Sequence, residues 1–426
     1  MVAVLVAGTL AACSSSKPKT TPTTTPTAAA TTTPTTAATT TTGIPVGADP
    51  SAFYVPSDPL APGPPGSLLR AEVVTGVAGV PAGATMWRIL YRSRSIYDDD
   101  IAVSGYVVVP PGPVPAGGWD VVSWAHGTTG ITPSCDPSMF RGRPYLLPDL
   151  ADFLRAGHVV AATDYEGLGG LQPYLVGESE GRGVLDAARA AHQLPGVAVS
   201  PTTLIYGHSQ GGHAALFAAE MAPSYAPDLR VVGVAAAAPA TGLSLILAVA
   251  GTPTGQGALS FLIEAGWSWA HTYRDLPPTD LFTPAGVSLA PVLTAGCLLD
   301  TLTGIASRKV SGSDVFLPGL ASSPVVGAHA RLNDPGRVRT AAPILVVQGT
   351  ADTTVPPALT DAYVDDMACP VGDSIDYLHV DGATHATIPQ AAAPDVLAWM
   401  ADRLAGRPPP TTCGAPGDAR SITPSP

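Results

Sequence analysis

The chain has 426 residues, 21 Lys and Arg against 33 Asp and Glu, and a net charge of −12. A charged fraction of 13 % with an acidic balance argues against nucleic-acid binding, which needs a basic face. The length suits one large domain with an insertion.

The first segment, Val2 to Ala12, is short and apolar and ends in Leu10-Ala11-Ala12-Cys13. It lacks the positive charges that usually begin a signal peptide, but its end has the form of a lipoprotein cleavage site. Residues 1–12 are therefore read as the signal, with Cys13 as the acylated residue. Cleaved secretion is the alternative, and the run is too short for a transmembrane helix. Residues 13–50 are dominated by Thr, Pro and Ala, cannot bury a core, and read as a disordered stalk.

Apolar runs predict strands at Ile101 to Val109, Val121 to Trp124 and His158 to Thr163. The second run leads into His126-Gly127-Thr128-Thr129-Gly130, a turn suited to presenting a backbone N–H. Helices are predicted at Pro148 to Arg155 and Gly183 to Gln193. Next comes Leu204-Ile205-Tyr206, then Gly207-His208-Ser209-Gln210-Gly211-Gly212, then an Ala-rich helix from Gln210 to Met221. Strand, Gly-x-Ser-x-Gly and helix in that order predict a nucleophile elbow. Side chains at Gly207 and Gly211 would collide with neighbouring backbone there, and glycine has none.

A strand at Val231 to Ala236 is followed by a long apolar segment before the next strand, Ile344 to Gln348. The gap is too long for a simple crossover, so 242–338 is read as an inserted cap. Asp352 follows Ile344 to Gln348, where parallel sheets place catalytic groups. Its other reading is a turn or N-cap residue before the helix from Pro357. Asp361, Asp365 and Asp366 read as that helix's solvated face. The last strand, Ile375 to Val380, contains His379, a packed histidine. His385 follows on a loop and is the best base. His126 and His208 belong to glycine turns, His192 and His213 to helices, and His271 and His329 to the insertion.

A serine needs a base to accept its proton and an acid to orient the base. Ser209, Asp352 and His385 supply these in chain order. The N–H of Gln210, and that of Thr128 with Gly127 next, are the candidate oxyanion donors. Alternating strands and helices predict a mostly parallel doubly wound α/β sheet. Cys135, Cys297, Cys369 and Cys413 allow three pairings. No zinc-ligand spacing, phosphate loop or dinucleotide fingerprint occurs, so neither metal nor cofactor is implied.

The Trp124 to Gly130 run, Thr163-Asp164-Tyr165-Glu166-Gly167-Leu168-Gly169, the elbow, Gly349-Thr350-Ala351-Asp352 and Thr384-His385 together resemble the secretory lipases of the α/β-hydrolase superfamily, typified by fungal lipase A. The resemblance spans about residues 50 to 413. It implies a Ser209–Asp352–His385 triad, a helical cap and activity on carboxylic esters. It also implies the pairings Cys135–Cys297 and Cys369–Cys413. The His-Gly-Thr turn occurs in only part of that family. Asp164 and Glu166 read as loop-shaping groups. The chain is thus read as a surface-anchored or secreted serine ester hydrolase, with its core at 51–241 and 339–407 and a Pro-rich tail at 408–426. Its partners are a lipid or small ester and, through Cys13, the membrane. The alternatives are an acyltransferase or peptidase with the same three groups, and a non-catalytic surface binding protein.

Overall fold

A computed structural model describes residues 40–45, 51–60, 62–139, 145–250, 256–414 and 419–423. The signal at 1–12 and Cys13 lie outside these. The described strands form one sheet of 11, in the order β1-β2-β3-β4-β6-β5-β7-β8-β9-β10-β11. They are β1 (Thr40–Pro45), β2 (Leu68–Thr75), β3 (Thr85–Arg94), β4 (Asp100–Val109), β5 (Trp119–Ala125), β6 (His158–Thr163), β7 (Val199–His208), β8 (Arg230–Ala237), β9 (Ile344–Gly349), β10 (Ile375–Val380) and β11 (Arg420–Ile422). Strands β2, β3, β4 and β6 pair antiparallel in turn. From β6 through β5 to β11 every pairing is parallel. Strands β5 to β9 are almost wholly buried, as expected of a parallel sheet covered on both faces.

Helix α1 (Leu150–Arg155) packs on β6, and α2 (Gly177–Ala191) lies beside α3 (Gln210–Tyr225). Helix α2 starts well before the predicted Gly183. Its early glycines suggest a loop, but they serve packing. A Cβ on Gly177 would overlap the Phe217 ring, and one on Gly181 would lie 3.0 Å from the Ala218 nitrogen.

Between β8 and β9 the chain is helical, beginning with α4 (Leu243–Val249) and α5 (Gln256–Thr272) and closing with the helix Pro324–Leu332. This segment has its own apolar cluster, which includes Leu259, Ile263, Trp269, Phe282 and Leu293. Among the described residues no helix is long and apolar enough to cross a membrane.

Two expectations need correction. The predicted stalk contains β1, which pairs with β2 in parallel. Its Thr residues are β-branched, and the open edge of β2 offers unpaired backbone groups. The remainder of the stalk, 13–39 and 46–50, lies outside the described residues. The tail likewise supplies β11, fastened by an Arg420–Asp376 ion pair at 2.7 Å and by Cys369–Cys413.

Candidate active site

Ser209 joins β7 to α3 with φ 59 and ψ −120, a conformation costly for a residue with a Cβ. Its N–H donates to Ala237 O at 2.9 Å, which fixes the turn against β8. The glycines around it are required by contact. A Cβ on Gly207 would overlap the Gly211 carbonyl, and one on Gly211 would overlap the Ala125 carbonyl.

Ser209 Oγ lies 2.8 Å from His385 Nε2, and His385 Nδ1 lies 2.7 Å from Asp352 Oδ2. These three side chains come from loops after β7, β10 and β9, at the same end of a parallel run in which β8 separates β7 from β9. Asp352 Oδ1 accepts the N–H groups of Thr354 at 2.8 Å and Val355 at 2.9 Å, while Gln348 Nε2 donates to Oδ2 at 3.3 Å. Burial works against the Asp352 charge, but His385 and the two backbone donors outweigh it and hold the carboxyl below the usual range.

The His126–Gly130 loop lies against the elbow. A Cβ on Gly127 would sit 3.7 Å from Ser209 Cβ. The loop is gripped by Tyr165 OH donating to His126 O at 2.9 Å and by Leu298 N–H donating to Thr129 O at 2.8 Å. Thr128 Oγ1 and Tyr174 OH share a hydrogen bond at 2.9 Å. Cys135–Cys297 joins the same region to the helix Leu298–Arg308. Gln210 begins α3, so its N–H faces the elbow without a helical acceptor of its own.

Asp164 and Glu166 bond within their loops. Asp164 accepts from Ser104 Oγ at 2.6 Å and from both the hydroxyl and the N–H of Ser138. Glu166 accepts from Ser179 Oγ at 2.6 Å. Neither meets Ser209. His208 is more than part of a glycine turn, because its ring packs on that of His385. Glu180 and His213, read from sequence only as helical residues or not at all, form a buried pair beneath the elbow. His213 lies in the first turn of α3, four residues after Ser209, and its N–H donates to the Ser209 carbonyl at 3.1 Å.

A cavity of about 450 Å³ opens on Ser209, with Ile246, Leu247, Phe261, Leu262 and Trp269 on its apolar wall. Among the described residues no cluster of His, Cys, Asp or Glu has a metal-binding arrangement.

The parallel sheet with a serine elbow at the end of a central strand defines an α/β hydrolase. The family model for secretory lipases matches residues 147–412, and the chain belongs to that family. A Mycobacterium tuberculosis protein named probable inactive lipase is 28 % identical, over 84 % of this chain and 82 % of its own length. A secreted triacylglycerol lipase of Malassezia furfur is 25 % identical, over 83 % and 79 %. Among solved structures, Candida antarctica lipase A superposes with a TM-score of 0.70 at 19 % identity, covering 88 % of each chain. The esterase LipA of Xanthomonas oryzae gives 0.65 at 19 %, covering 81 % of this chain and 100 % of its own. These structural likenesses concern the fold. Family membership places the chain among hydrolases of esters.

Proposed function

We propose that this protein hydrolyses lipid carboxylic esters through an acyl-enzyme on Ser209. The observation that carries the reading is the continuous hydrogen-bond chain Ser209–His385–Asp352 at a strained elbow. Ser209 Oγ attacks the ester carbonyl while His385 Nε2 takes its proton. Asp352 keeps the His385 tautomer with its Nε2 free and offsets the imidazolium charge. The N–H groups of Gln210 and Thr128 receive the oxyanion. His385 passes the proton to the departing alcohol, and water, activated by the same histidine, releases the acid.

The apolar cavity on Ser209 supports a long-chain acyl group rather than a polar one, with 242–338 acting as the cap above it. Cys13 in Leu10-Ala11-Ala12-Cys13 supports a lipid anchor that keeps the enzyme at the outer face of a membrane. The names of the secreted relatives favour export in either form.

Fluorophosphonate labelling with peptide mapping tests the chemistry. An adduct on Ser209, lost in His385→Ala, is the expected result, and absence of an adduct on folded protein would remove the mechanism. One observation favours a second reading, a catalytically silent binding protein: the relative named probable inactive lipase. The same experiment separates the two. Intact mass of membrane-bound material tests the anchor, since a free N-terminal cysteine would defeat it.

A further inference from the structure

The hydrogen bonds beneath the elbow lead to groups that the proposed chemistry does not use. Glu180 on α2 and His213 on α3 are fully buried, with His213 Nδ1 2.7 Å from Glu180 Oε2. The other nitrogen, Nε2, lies 2.8 Å from the Asn333 carbonyl oxygen. Both ring nitrogens of His213 face oxygens, an arrangement that suits an imidazolium beside a carboxylate. Burial opposes that charge, but Glu180 outweighs it and raises the His213 pKa above its ordinary value.

A buried ion pair is a weak source of stability, because desolvation offsets much of its attraction. What this pair holds is more informative. Glu180 Oε1 accepts from Gln210 Nε2 at 2.8 Å and from Leu175 N–H at 2.9 Å. Among the described residues Glu180 is the one hydrogen-bond partner of the Gln210 side chain, whose Oε1 is buried and unpaired there. Gln210 directly follows Ser209. At the far end, Asn333 closes the helix Pro324–Leu332. Its Oδ1 accepts from Gly177 N–H at 3.0 Å and its Nδ2 donates to Tyr273 OH at 2.7 Å. One buried chain thus runs from the helix that ends the β8–β9 segment to the residue beside the nucleophile.

We infer that Glu180 is a positioning residue for the oxyanion site: its carboxylate, clamped by His213, anchors the Gln210 side chain and so sets the direction of the Gln210 N–H. The inference rests on the serine-hydrolase reading above. An oxyanion donor acts in the transition state, and its value depends on placement to a fraction of an ångström. Burial of an acyl chain in the apolar cavity does not use that N–H. Loosening Gln210 therefore lowers kcat and leaves KM nearly unchanged.

The test compares Glu180→Gln, Gln210→Leu and the double variant on a p-nitrophenyl ester and in fluorophosphonate labelling. Each single variant is expected to lower kcat about tenfold or more, equivalent to about 1.4 kcal/mol, with KM within about twofold. The double variant should be no slower than the worse single one, because both changes cut the same link. Gln210→Leu leaves the Glu180–His213 pair intact and carries the test alone if Glu180→Gln does not fold. A folded Gln210→Leu with wild-type kcat, or fully multiplicative losses in the double variant, would overturn the inference. A wild-type protein that neither labels nor turns over would instead remove the hydrolase reading, and this inference with it.

Discussion

The ring of His208 donates through Nε2 to the backbone carbonyl of His385 at 3.0 Å, and the two rings pack with centroids 4.7 Å apart. The residue before Ser209 thereby holds the loop that carries His385. Burial, and next the neighbouring His385, push the His208 pKa down to about 3, so it stays neutral at working pH. Replacing it by Phe keeps a ring and removes the donor. The expected result is a fall in kcat/KM of about tenfold, the value of one lost hydrogen bond. The acid limb of the pH–rate profile should not move, because His208 does not titrate there. A profile displaced in His208→Phe would show that His208 itself exchanges the catalytic proton.

Asp352→Asn preserves shape but removes the charge that selects the His385 tautomer. We expect kcat to fall by about 10⁴ while the protein stays folded. The native carboxyl sits below its ordinary pKa, so its stabilising contribution is present above the unfolded value and is lost only as pH falls through the lower folded one. Thermal melts of wild type and Asp352→Asn should therefore converge only in strong acid. Convergence near neutrality would contradict the paired geometry.

Glu264 on α5 behaves in the opposite sense. Both its oxygens are buried, with only the Thr301 hydroxyl beside them among the described residues, and burial raises its pKa to about 7. An acid raised on folding stabilises most below its unfolded pKa of 4.5, and that contribution is lost as pH rises toward about 7. Relative to Glu264→Gln, the wild type should lose on the order of 2–3 kcal/mol between pH 4.5 and 8. Denaturant titrations of both proteins at several pH values measure this. Parallel pH dependences would refute it.

Gly211→Ala drives a methyl into the Ala125 carbonyl, which is backbone and cannot yield cheaply. We expect a lower Tm together with loss of Ser209 labelling, since the displaced groups are the elbow and the strand that leads into the His126 loop. A normal melt with normal labelling would mean that the turn is looser than described.

Cys413→Ser opens the link from Cys369 to the tail. Loss of a disulfide of this kind typically costs about 2–5 kcal/mol. Hydrogen exchange should report β11 first, because only its short ladder with β10 and the Arg420–Asp376 pair are then left to hold it. Uniform loss of protection across the sheet would point to a role beyond the edge.

Strands β4 to β10 were legible because apolar runs end in distinctive turns, and so was the placing of Ser209, Asp352 and His385 after β7, β9 and β10. Strands β2 and β3 were not. Arg88 and Arg92 interrupt their pattern, yet Arg88 is buried against Glu72 and Arg92 is enclosed near Asp100. A periodicity that treats arginine as solvated cannot detect a strand whose arginines are paired inside. β1 and β11 were missed because Thr-rich and Pro-rich stretches carry no apolar run, and neighbouring edges decide their conformation. The Glu180–His213–Gln210 chain joins residues that are distant in sequence and become neighbours only when α2 packs on α3.

The strain at Ser209 has a consequence for how such a protein changes over generations. The Ser209 hydroxyl bonds only to His385 among the described residues, while the turn itself is held by backbone contacts. A glycine there would relieve the unfavourable φ without disturbing the core. The proposed chemistry would thus be carried at a folding cost, opposed to any drift toward a more stable, silent descendant.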